Sequence, residues 1–320
     1  MRALVIGEAL IDVVERGHER AAGTERDGRV AGEHVGGSPL NVAVGLARLG
    51  REVDFLTHIG TDDYGHRVRE FVETAGVHVV PGSDTAERTA TARAVLDEDG
   101  SATYSFDIDW QLSGTAPVPP PLVVHTGSIA TVLEPGCLAT AALVDTYHTS
   151  ATVTFDPNIR SALITDADAA RDRIDRLLEK ADVIKVSDED LRWIDPRRSP
   201  EQIGEAWLAL GASIVVVTLG AEGALAMCAA GNVRVPAPRV EVVDTVGAGD
   251  AFMTGLVDAL WSRDLLGAPR RAALARLDTD TLTATVRAAT LCAAVTVTRA
   301  GADLPDRAAL DTAGSSEILG

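Results

Sequence analysis

Apolar residues along the chain gather into short unbroken runs: Ala3 to Ile6, Leu122-Val-Val124, Val153-Thr-Phe155, Val183-Ile-Lys-Val186 and Ile214-Val-Val-Val217. Continuous runs of this length, without alternation, suit strands buried on both faces. Stretches with helical spacing, such as residues 169–181 and 201–211, lie between several of them. The alternation predicts an α/β fold with a doubly wound, mostly parallel sheet flanked by helices. Two segments break the rhythm. Residues 13–35 are charged and contain glycines, and Ala92, Ala94 and Leu96 alternate before the turn Asp97-Glu-Asp-Gly100, as Ala102, Tyr104 and Phe106 do after it. The second pattern predicts a β-hairpin. Antiparallel pieces inside a parallel pattern imply a small β lid, built from residues 13–35 and 89–112, that closes over a ligand. No repeat or linker divides the chain, so a single domain over residues 1–320 is expected, with a tail that frays after Asp311.

Composition narrows the partners. The 29 basic and 47 acidic residues leave a net charge of −18, a field that repels nucleic acid and anionic membranes. Cys137, Cys228 and Cys292 are widely spaced and the seven histidines are scattered, which argues against a disulfide framework and a zinc site. The first apolar run is short and broken by Glu8 and Asp12, so a cytoplasmic protein without a signal peptide is expected. Lys180 and Lys185 are the only lysines. Neither follows a glycine loop, which excludes a P-loop, and no Gly-x-Gly-x-x-Gly follows the first strand.

Chemistry concentrates in two glycine motifs. The strand-like Val240 to Asp244 runs through Val246-Gly-Ala-Gly249 into a helical stretch that begins near Asp250. Backbone N–H groups at such a helix start stabilise developing phosphoryl charge, and a carboxylate there accepts a proton from an attacking hydroxyl. An aspartate that merely caps the helix reads equally well on loop chemistry alone. In Gly36-Gly37-Ser38-Pro39-Leu40-Asn41, Ser38 is the expected N-cap, Pro39 lies in the first turn and Gly50 ends the helix. Asn41 would offer its amide to sugar hydroxyls, although a plain strand-to-helix turn explains the glycines as well.

Together, in this order, the motifs resemble the ribokinase and phosphofructokinase-B family of carbohydrate kinases across nearly the whole chain. The resemblance implies that Asp250 is the catalytic base, that Gly247, Ala248 and Gly249 form an anion hole, and that Asp12, Gly36, Gly37 and Asn41 hold the sugar. It makes Thr218-Leu219-Gly220-Ala-Glu222-Gly223 a nucleotide loop for ATP, with Gly249 beside it, and places Thr298 to Ala302 near the adenine and a monovalent cation. Where the family often has Asn-x-x-Glu, this chain has Ser187 and Asp190, which would contact the nucleotide and hold Mg²⁺ through water. Asp244 would lie at a potassium site, although Pro305 stands near where some members place a serine.

The strings Phe155-Asp156-Pro-Asn158-Ile-Arg160 and His125-Thr-Gly-Ser-Ile-Ala130 look most like those of bacterial fructokinases, with Asn158, Arg160 and the lid residue Phe106 as sugar contacts. Ser105 to Asp109 on the lid are neutral or acidic, which favours a neutral sugar such as fructose over a sugar acid. With no phosphate-binding lysine, charge neutralisation is expected from Mg²⁺, the helix start and Arg160. A 2-keto-3-deoxygluconate kinase, a nucleoside kinase and a non-catalytic sugar or nucleotide sensor remain alternatives. Exposed lid edges would suit a homodimer.

Overall fold

The computed structural model describes residues 1–16, 29–96, 102–112 and 118–315. The expected turn at residues 97–100 and part of the segment 13–35 lie outside them. The chain runs through β1 (Arg2–Ile6), β2 (Leu10–Arg16), β3 (Arg29–Gly36), α1 (Ser38–Arg48), β4 (Glu52–Leu56), α2 (Asp63–Thr74) and β5 (Val77–Val79). It continues with β6 (Ala90–Leu96), β7 (Ala102–Asp107), β8 (Val123–Gly127), α3 (Gly136–Tyr147), β9 (Thr152–Asp156), α4 (Ala167–Leu178), β10 (Val183–Ser187) and α5 (Asp188–Ile194). The remaining elements are α6 (Pro200–Leu210), β11 (Ile214–Thr218), β12 (Ala224–Cys228), β13 (Gly231–Val235), α7 (Ala248–Ser262), α8 (Arg271–Leu274), α9 (Thr279–Val297) and α10 (Arg307–Ser315). Helix α10 carries the chain past Asp311, so the fraying expected there is not seen as far as Ser315.

Nine strands form the large sheet in the order β13-β12-β11-β10-β9-β8-β1-β4-β5. Pairing is parallel from β5 across to β11 and antiparallel only where β12 and β13 join. The apolar runs are these parallel strands, and their side chains alternate between two cores because a strand's period is two. Ala3 and Val5 face the core of α1, α2, α7 and α9, whereas Leu4 and Ile6 face that of α3, α4 and α6. The strand order reverses beside β1, where the chain leaves to β4 and returns at β8. Ligands of open parallel sheets bind beyond the C-terminal strand ends at such a reversal.

Over that reversal lies a separate four-stranded sheet in the order β3-β2-β6-β7. Its hairpin β6–β7 is antiparallel as the alternation predicts, and β2 joins β6 in parallel. One face turns Ile11 and Val13 into the main core, while the other packs Leu10, Ala90 and Ala92 on Ile129, Leu133 and Leu163. Asp12, Ala92 and Phe106 lie at one level across this second face, with His34 opposite Asp12 on β3.

Candidate active site

Helix α7 starts at the C-terminal ends of the parallel strands. Its N-cap is Gly247, whose left-handed φ of 77° suits glycine, and a Cβ there would sit 2.6 Å from that of Ala302. The Ala248 amide turns to the Thr245 carbonyl at 3.2 Å and the Ala251 amide closes the first turn on Gly247 at 2.8 Å. The Gly249 and Asp250 amides, at a helix start, have no intrahelical acceptor and are the ones free to bind an anion.

Asp250 does not cap the helix, so the capping alternative fails. It is buried, Ser38 Oγ donates to one carboxylate oxygen at 2.6 Å, and Asn41 Nδ2 donates to the other at 2.7 Å. Burial raises its pKa against the lowering effect of those two bonds and of Lys185 and Arg160. Ser38 was expected as N-cap of α1, but that place belongs to Gly37 (φ 118°) and Ser38 spends its hydroxyl on Asp250 instead. A tertiary bond to a buried charge has displaced the local one. Asn41, expected on a sugar, likewise spends its amide N–H on the carboxylate. The glycine pair is needed for close approach: a Cβ on Gly36 would collide with the Asp12 carboxylate, and one on Gly37 would lie 2.5 Å from the Glu8 carbonyl.

Asp12 is partly buried, and burial raises its pKa while His34 and Arg160 lower it. Phe106 is half-buried at the same level of the small sheet. Asn158 (φ 41°) accepts from Arg160 at 2.8 Å, and both line a cavity of about 430 Å³ with Ser187 and Asp190. Ser187 caps α5 by accepting from the Asp190 amide at 2.9 Å, and the Asp190 carboxylate accepts from the Ile159 amide at 3.0 Å. An adjoining cavity of about 490 Å³ is bounded by Thr218, Gly220 and Gly223 and walled by apolar Val240, Phe252 and Val297. Its mostly apolar lining suits a heterocycle. Gly220 and Gly223 have φ of 56° and 96°. The Leu219 side chain packs against the core, and neither it nor exposed Glu222 lines that cavity. Asp244 joins two loops by accepting from the amides of Val246 at 3.0 Å and Gly301 at 2.8 Å, which lowers its pKa.

Two groups escaped the sequence. Lys185 and Asp156, on neighbouring strands β10 and β9, form a buried ion pair at 2.9 Å, and a Cβ on Gly249 would lie 2.9 Å from Lys185 Nζ. The expectation that no lysine serves the phosphates left out this one, which stands beside the start of α7. The signal was a lysine inside a buried apolar strand, since a buried ammonium must find a counter-ion. Glu8, just after β1, is also buried and accepts from the Ala130 amide at 3.2 Å. Burial pushes its pKa up to about 7, against bonds to Ser128 and Ala130 and the nearby Arg160 charge.

Against known proteins, residues 2–309 match the model of the pfkB family carbohydrate kinases. A fructokinase from Rhizobium leguminosarum bv. trifolii is 36% identical over 271 residues, covering 82% of this chain and 81% of the relative. Among solved structures, fructokinase with bound ATP from Xylella fastidiosa superposes with a TM-score of 0.80 at 25% identity, covering 98% of this chain and 97% of that one. A fructokinase double mutant from Vibrio cholerae O395, in a form with fructose, ADP and potassium ion bound, gives 0.71 at 26% identity, covering 97% of each chain.

Proposed function

The chain belongs to the pfkB family of carbohydrate kinases, and from that premise we propose that it transfers the γ-phosphoryl group of ATP to a primary hydroxyl of fructose. The observation that carries this reading is Asp250, a buried carboxylate fixed by two neutral donors at the start of a helix whose Gly249 and Asp250 amides have no intrahelical acceptor. A sugar hydroxyl seated between Asp250 and the small sheet gives its proton to Asp250 as its oxygen bonds to the γ-phosphorus. The bond to the ADP oxygen breaks in line, and the Gly249 and Asp250 amides hold the transferred charge. Asp12 holds sugar hydroxyls from the small sheet, which serves as the lid. Adenine occupies the apolar cavity of Val240, Phe252 and Val297.

Among the described residues no three His, Cys, Asp or Glu side chains are grouped to hold a metal ion. That fits Mg²⁺, which is commonly held by phosphates and water with one or two carboxylates. Asp190 would hold the ion through water, and the ion would neutralise the β- and γ-phosphates. A potassium ion would sit on backbone carbonyls beside Asp244, which already ties its two loops together. No helix among the described residues is long and apolar enough to cross a membrane. The lid edges β3 and β7 are where a homodimer would form.

Fructose is favoured over a sugar acid because Arg93 is committed at 2.6 Å to Glu15, on the lid face opposite Asp12. ATP consumption across a panel of fructose, glucose, ribose, 2-keto-3-deoxygluconate and adenosine tests the assignment. Fructose is expected to give the highest kcat/KM. Faster turnover of another member reassigns the substrate, and binding without turnover on any makes the protein a sensor.

A further inference from the structure

We propose that Lys185 is a catalytic residue whose ammonium, steadied by Asp156, donates to a non-bridging oxygen of the phosphoryl group in transfer. The proposal rests on the kinase reading above. Lys185 stands inside the five-residue strand β10, which is buried on both faces, and points to the C-terminal end where α7 begins. Its Nζ lies against the Gly249 backbone and lines the cavity that also contains Ser187, Asp190, Thr218 and Gly220.

A purely structural pair would be an odd choice at this position. Replacing a buried ion pair by apolar side chains of similar volume is often neutral or stabilising, so the pair itself is weak evidence of a structural role. The pair is also incomplete. Asp156 uses one carboxylate oxygen on Lys185 and its other oxygen is buried without a partner. An ammonium has three N–H donors, and Asp156 takes one of them.

Electrostatics points the same way. Asp156, Asp190 and Asp250 all act on Lys185, and carboxylates gathered around it would repel an incoming triphosphate. Lys185 is the buried cation among them, whereas Arg160 is exposed and bonded to Asn158. Burial alone would strip the lysine of its proton, but those carboxylates outweigh it and raise its pKa. It therefore acts as a fixed donor and keeps its proton throughout. Asp250 takes the hydroxyl proton, and no bond to Lys185 forms or breaks. Asp156 is a positioning residue.

Two measurements test this on the full chain. The first compares wild-type protein with the electroneutral double variant Lys185→Met/Asp156→Asn, which leaves no stranded buried charge. Loss of one preorganised donor to a transition-state oxyanion lowers kcat by about 10²- to 10³-fold. A fall of that size is expected with sugar KM within about twofold, a split that loosened packing would not produce. A kcat within about threefold of wild type overturns the proposal. Failure of the wild-type protein to phosphorylate any sugar counts against the kinase reading instead. The second measurement needs no variant, because Lys180 and Lys185 are the only lysines. In protein carrying ¹³C at lysine Cε, ATP is expected to shift the Lys185 resonance more than ADP does, with Lys180 unmoved. Equal shifts with the two nucleotides overturn the assignment.

Discussion

The floor and the roof of the site are built on opposite principles. The floor, at the strand ends of the large sheet and the start of α7, holds Glu8, Asp156, Lys185 and Asp250, all buried and hydrogen-bonded or ion-paired. The roof is the second face of the small sheet, where Asp12 and Phe106 are only partly covered, and Arg93 and Arg88 are paired with Glu15 and Asp107. Low dielectric strengthens every charge on the floor, which suits stabilisation of a developing oxyanion. A half-wet roof suits recognition of neutral hydroxyls, where geometry rather than charge discriminates. Floor substitutions should therefore act on kcat or on the folded state, and roof substitutions on KM.

The largest effect is expected at Asp250. Asp250→Asn keeps the size of the side chain and removes the proton acceptor, so kcat should fall by about 10³-fold, within the range for loss of a general base. Sugar affinity measured by calorimetry should change little. Near-normal turnover would break the comparison at its centre.

Next comes Glu8, whose charge the floor suppresses. Its folded pKa of about 7 exceeds the ordinary glutamate value of 4.5, so the folded state holds the proton more tightly than the unfolded chain does. The stability this contributes is complete below about pH 4.5, is lost as pH rises to about 7, and stays lost above that. At about 1.4 kcal/mol per pH unit the window amounts to about 3 kcal/mol. Asp156, pushed up to about 6 by burial against Lys185, titrates in the same window with the same sign. The difference between wild type and Glu8→Gln in urea unfolding isolates the glutamate. The variant should gain relative stability between pH 5 and 8, and a flat difference would show that Glu8 is ionised when folded.

On the roof, Asp12→Asn should raise sugar KM by about 10- to 100-fold, the range for a charge-assisted bond of ~1.5–3 kcal/mol, with kcat within about fivefold. Steady-state kinetics with fructose separates the two. A loss confined to kcat would move Asp12 to the floor.

How much of this contrast the chain announces depends on whether the information is local. The parallel strands are legible because burial on both faces leaves unbroken apolar runs, and the Asp244-to-Phe252 string is legible because loop, helix start and carboxylate are contiguous. Lys185 was missed because a lysine for the site was sought next to a glycine loop. The sheet instead brings one to Gly249 from β10, more than sixty residues earlier. Ser38 was misplaced for the converse reason. Its local preference for an N-cap is real, but a bond to Asp250, 212 residues away, wins. Nor did alternation reveal that β2 pairs with β6 in parallel, since the pairing partner of a strand is not written in its own pattern.

The smallest effect sharpens the contrast most, because it asks whether the roof keeps Arg93 away from the substrate by design. Arg93 lies next to Ala92 on β6, so its side chain leaves the opposite face from Asp12 and meets Glu15. Exposed pairs of this kind contribute about 0–1 kcal/mol. If the cation has no part in binding, Arg93→Gln should leave fructose kcat and KM within about twofold and lower the unfolding midpoint only slightly. A sugar acid as true substrate gives another outcome: the lid would have to turn Arg93 inward on closing, and the variant would lose affinity for 2-keto-3-deoxygluconate by tenfold or more while fructose kinetics stayed flat. Running both substrates on the one variant therefore separates a roof that reads hydroxyls from one that conceals a carboxylate site.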